Sequence, residues 1–130
     1  MFRGAMTPPR VLHALAWPGE LAGAPRSLEE SLAALRGHGV HPMAWLATST
    51  RPHPSPVPQR LVDRGAQVFQ RTADTSLDPL AVRDLVARLR ALGPGAILHT
   101  HGERALLWGR LAARLASARH VHTQHGFVAN

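Results

Sequence analysis

The chain has 130 residues, 45% hydrophobic and 18% charged, which suits one folded domain and excludes wholesale disorder. It has no cysteine, so disulfide scaffolds and cysteine-based zinc sites are excluded. The basic residues are all arginine and give a formal charge of +7, but they are scattered rather than blocked, and few aromatics accompany them, so nucleic acid is not an expected partner.

Residues 1–9 read as a flexible tail and residues 10–130 as the domain. No stretch approaches the ~20 apolar residues of a membrane span, and the N-terminus lacks the apolar core of a signal peptide. The expected location is the cytoplasm; the positive charge permits contact with the inner face of the membrane. Val11–Ala16 is a short apolar run bounded by prolines and glycine, a buried first strand. Residues 19–26 form a small-residue loop. A helix follows, with Leu28, Leu32 and Leu35 on one stripe; either Ser27 and Glu30 form a capping box or Pro25 is the first helical residue.

Residues 40–48 read as the second strand, with Pro42 limited to a site that needs no ladder N–H. Residues 49–60 carry four prolines and are expected to be irregular, with a short helix over 59–64 and a third strand over 66–70. Asp78 and Pro79 open a helix whose apolar face is Val82, Leu85, Val86, Leu89 and Leu92. Residues 96–99 form the fourth strand. The next helix runs from about Glu103 to Ser117, with Leu107, Leu111 and Leu115 expected inside. Residues 120–124 form the fifth strand. Strands alternating with crossover-length helices imply an α/β fold: a Rossmann-like parallel sheet of about five strands, in the order 3-2-1-4-5.

In such sheets ligands sit beyond the carboxyl ends of the strands, where the strand order reverses. Three loops meet there: residues 17–26, 100–103 and 125–130. The first offers helix N-terminal N–H groups to a phosphate, but its glycines, Gly19 and Gly23, do not form a dinucleotide fingerprint. Five of the nine histidines fall on two neighbouring strand ends: His99, His101, His120, His122 and His125. Period-two alternation points His99 and His101 one way, and likewise His120 and His122. His13, His99 and His120 suit core packing, whereas His125, before Gly126 on a strand-end loop, suits ligand contact. H-x-H pairs also begin the metal sites of some hydrolases, but those need strand aspartates that are absent here, so no metal is expected.

The run AILHTHGERALLWGRLAARLASARHVHTQHGF, residues 96–127, resembles the late part of the N-terminal domain of family 4 glycosyltransferases, retaining enzymes of GT-B fold. VLHALAWPGELAGAPRSLEESLAAL, residues 11–35, resembles that family's opening strand, glycine-rich loop and first helix, and LRGHGVHPMAWLAT its second strand. The resemblance implies transfer of a sugar from a nucleotide-sugar donor to a glycan or lipid acceptor, without a metal or other cofactor. It assigns His125 to the catalytic centre and Gly23 and Ala24 to the donor-phosphate loop. It also implies that His101, Gly102, Gly126 and Phe127 line the acceptor side of the cleft.

The chain departs from the family pattern twice. A-G-A-P-R replaces the common G-G-A-E-R, and the paired glutamates E-x7-E of the donor-binding C-terminal domain are missing. The expectation is an incomplete domain, inactive alone and needing that C-terminal domain or a partner chain. Its open fifth strand invites self-association. The alternatives are a non-catalytic binding module for a sugar or phosphorylated ligand, and a metal-dependent hydrolase using the H-x-H pairs.

Overall fold

The computed structural model describes residues 9–16, 24–48, 55–73 and 78–124. Five strands, β1 (Val11–Ala16), β2 (Met43–Thr48), β3 (Gln67–Thr72), β4 (Ile97–His101) and β5 (Arg119–Thr123), form one parallel sheet in the order β3-β2-β1-β4-β5. Four helices connect them: α1 (Ala24–Arg36), α2 (Val57–Asp63), α3 (Pro79–Leu92) and α4 (Glu103–Ala116). The order 3-2-1-4-5 expected from strand–helix alternation is the order found.

Both faces of the sheet are covered, so β1 is buried at all six positions and reads as a continuous apolar run. Leu12, Ala14, Met43, Trp45 and Leu98 pack towards α3 and α4. Leu15, Ala44 and Leu46 pack towards Leu28 and Leu32 of α1 and Val57 and Leu61 of α2. Side-chain hydrogen bonds tie the layers. Trp45 Nε1 donates to Asp84 Oδ2 at 2.8 Å, joining β2 to α3. Glu29 of α1 pairs with both Arg60 of α2 and Arg64 just beyond it.

Helix α3 forms as its sequence dictates. The Asp78 carboxylate accepts from the Leu80 N–H at 2.9 Å, and Pro79 occupies the first turn, where no N–H is needed. Val82, Leu85, Val86 and Leu89 are buried as expected. Helix α1 begins at Ala24, which puts Pro25 in its first turn; this is the proline start, not the Ser27 box.

Three expectations need correction. The proline-rich segment is not irregular throughout, because α2 begins at Val57; Pro56 caps it and Pro58 lies in the first turn, the one place where proline suits a helix. Strand β2 begins at Met43, after Pro42, and β3 extends to Thr72. The third correction concerns α4. Leu107, Leu111 and Leu115 are 56%, 39% and 53% exposed, while Ala105, Trp108, Ala112 and Ala113 are buried. Helix α4 lies too close to the sheet for leucines. A Cβ at Gly109 would collide with Thr100 Cγ2 and come within 3.2 Å of His120 Nε2. Small residues and one edge-on indole fill that narrow gap, with Trp45 and Trp108 perpendicular at 6.2 Å.

Candidate functional site

The strand order reverses between β1 and β4, and their pairing decides what meets there. His13 lies beside His99 and Leu15 beside His101 in a parallel ladder. Side chains at paired positions share a face, so His13, His99 and His101 all project to the α1 side. His13 Nδ1 and His101 Nε2 are 3.0 Å apart and share a hydrogen bond. The His99 ring stacks on His101 with centroids 4.1 Å apart and lies 5.1 Å from that of His13. One nitrogen from each of the three rings lies within 4.8 Å of the others. His99 Nε2 also bonds Thr123 Oγ1 of β5 at 2.6 Å.

His13 and His101 are buried and His99 is half-buried. Burial is the main reason that the His13 pKa falls to about 3, and repulsion from His99 adds to it. His13 is therefore neutral throughout the physiological range, with one ring nitrogen a donor and the other an acceptor.

The opposite face of the same strand ends carries a second chain of polar groups. Thr100 Oγ1 lies 2.8 Å from His120 Nε2 and 2.8 Å from His122 Nδ1. His122 Nε2 lies 2.9 Å from Gln124 Oε1. Neutral rings satisfy every bond in one direction: His120 donates to Thr100, Thr100 to His122, and His122 to Gln124. Burial pushes the His120 pKa down, and His122 and Arg110 push it further, which favours a neutral His120.

Gly102 joins β4 to α4 with φ 81° and ψ 159°, a conformation essentially confined to glycine. Its N–H donates to the Thr123 carbonyl at 3.0 Å, so the ends of β4 and β5 are locked together. Of the site residues expected from the sequence, His101 and Gly102 stand at this corner, and Ala24 begins α1. Gly23, His125, Gly126 and Phe127 lie outside the described residues.

His13 is the participant that sequence reading assigned to packing alone. The signal for it was available: an order of 3-2-1-4-5 places β1 against β4, and His13 and His99 each fall within the short apolar run that forms one of those strands.

Residues 21–129 match Glycosyltransferase Family 4. The chain belongs to that family. The match includes every helix of the described fold and every strand except β1. No curated protein and no solved structure matches the chain. The family 4 assignment agrees with the sheet order. No described helix is long and apolar enough to cross a membrane.

Proposed function

We propose that this family 4 domain is the acceptor side of a retaining glycosyltransferase, which moves a hexose from a nucleotide-sugar to a glycan or lipid acceptor. The observation that supports this best is the family match over residues 21–129. A polar corner at the switch point of the sheet agrees with it. In this reading His125 stands at the catalytic centre, hydrogen-bonding the donor sugar or phosphate. Gly23 and Ala24, the second of which opens α1, serve the donor diphosphate, where helix N–H groups and dipole favour negative charge.

His101, Gly102, Gly126 and Phe127 face the acceptor. The His13 and Thr123 contacts set the position of His101 and of the adjoining turn. The paired glutamates E-x7-E do not occur in these residues, so sugar transfer by the 130 residues alone is not expected. Transfer itself needs no metal in this scheme.

The reading is tested by adding nucleotide-sugars, free nucleotides and candidate glycan and lipid-headgroup acceptors to the isotope-labelled chain and following its backbone amides by NMR. The expected shifts cluster at Ala16, His101, Gly102, Thr123 and His125. Shifts confined to the opposite, amino ends of the strands, or none with any ligand, would count against it. Shifts with phosphorylated ligands but no transfer in a complete enzyme carrying a donor domain would favour the binding-module alternative.

A further inference from the structure

We propose that His13, His99 and His101 form a three-histidine site for a divalent zinc-like metal ion, set into the sheet between β1 and β4. The site shares His101 with the acceptor-facing corner, but metal binding there does not rest on the sugar-transfer reading. It stands on the strand pairing, which aligns His13 with His99 and brings His101 over both on one face.

The spacing is close to that of an occupied site. Two imidazole nitrogens bound about 2.05 Å from one tetrahedral ion are separated by about 3.3 Å. His13 Nδ1 and His101 Nε2 are 3.0 Å apart, so a small spreading of the pair admits the ion. Rings radiating from one ion have centroids about 5 Å apart. The His13 ring is 5.1 Å from His99 and 5.3 Å from His101. Only the stacked pair of His99 and His101, at 4.1 Å, must open. His99 is the half-buried member of the three and has the most room to turn.

The surroundings suit the same ion. Three nitrogen ligands select a borderline metal, zinc first, over magnesium or calcium. The Thr123 hydroxyl bonds His99 at Nε2, the kind of contact that orients a ligating imidazole and raises the basicity of its other nitrogen. Three protein ligands leave a fourth position for water or an anionic oxygen, which offsets the charge of the ion in a cluster that contains no carboxylate.

The experiment uses the full chain without a histidine tag, stripped with a chelator and titrated with zinc against a competing chromophoric chelator. Cobalt is then substituted and its visible absorption read. One equivalent of zinc and the intense absorption of four-coordinate cobalt are expected. His99→Ala should weaken binding by at least about a hundred-fold, and Thr123→Val by about tenfold or more. The exposed pair His38→Ala and His41→Ala should leave it unchanged.

Circular dichroism checks each fold; should His99→Ala unfold, Thr123→Val carries the test. No saturable binding overturns the site. So does binding that survives His99→Ala in a folded protein, that is lost with the exposed pair, or that gives only the weak absorption of six-coordinate cobalt.

Discussion

An imidazole enclosed in a parallel sheet makes the stability of the fold depend on pH. His13 in the unfolded chain takes up a proton near its ordinary pKa of 6.5, whereas in the folded chain it resists until about pH 3. Between those values the unfolded state binds the extra proton. The contribution of His13 is therefore complete above pH 6.5 and is lost as pH falls towards 3, at up to about 1.4 kcal/mol per pH unit. His120, also shifted down, adds in the same direction. Urea denaturation with a chelator present should show a midpoint that drops steadily from about pH 7 to about pH 5. His13→Leu, which keeps the volume but removes the titrating group, should flatten that slope. An equally steep slope in the variant would show that another group is responsible.

The two faces of α4 make a contrasting pair of predictions at the scale of one element. Leu111 is 39% exposed and Leu107 56%, so Leu111→Gln or Leu107→Gln should change stability by no more than about 0.5 kcal/mol. Trp108 is fully buried, and Trp108→Ala should cost about 3–5 kcal/mol. Gly109→Ala inserts a methyl into the Thr100 side chain and should cost about 1–3 kcal/mol. It should also disturb the Thr100 bonds to His120 and His122, visible as shifted imidazole resonances. A tolerated Gly109→Ala together with a damaging Leu111→Gln would mean that the helix is rotated from the arrangement described.

That helix also marks what the sequence made legible and what it hid. Strand order, the capping of α3 and the pairing of His99 with His101 follow from local rules: crossover lengths, an Asp-Pro start and period-two alternation. The buried face of α4 does not follow from hydrophobicity alone. It depends on how near the helix approaches the sheet, which Gly109, Ala105 and Ala112 permit and leucines would prevent. His13 was hidden for a related reason. Its partners lie 86 and 88 residues away, and only the pairing of β1 with β4 brings them together. His125, to which the family resemblance assigns catalysis, is outside the described residues.

At the scale of the whole molecule two effects oppose each other. Strand β5 is at one edge of the sheet, with Val121 49% exposed. An edge strand offers N–H and C=O groups to another chain, which favours association of copies. Against this, each copy carries a formal charge of +7, and Arg119 sits on the edge strand itself. Like charges on two approaching copies repel over a distance set by ionic strength, about 30 Å at 0.01 M salt but about 3 Å at 1 M. Backbone pairing and burial of Val121 are short-ranged and are not screened in this way. The 130-residue chain should therefore sediment as a monomer in low salt and self-associate as salt is raised at constant, high protein concentration. Introducing a second positive charge with Val121→Lys on the exposed face of β5 should suppress the associated form, by removing apolar contact at the edge and adding to the repulsion. A monomer at every salt concentration would show that the edge does not pair. Association in Val121→Lys equal to that of the parent would assign it to another surface.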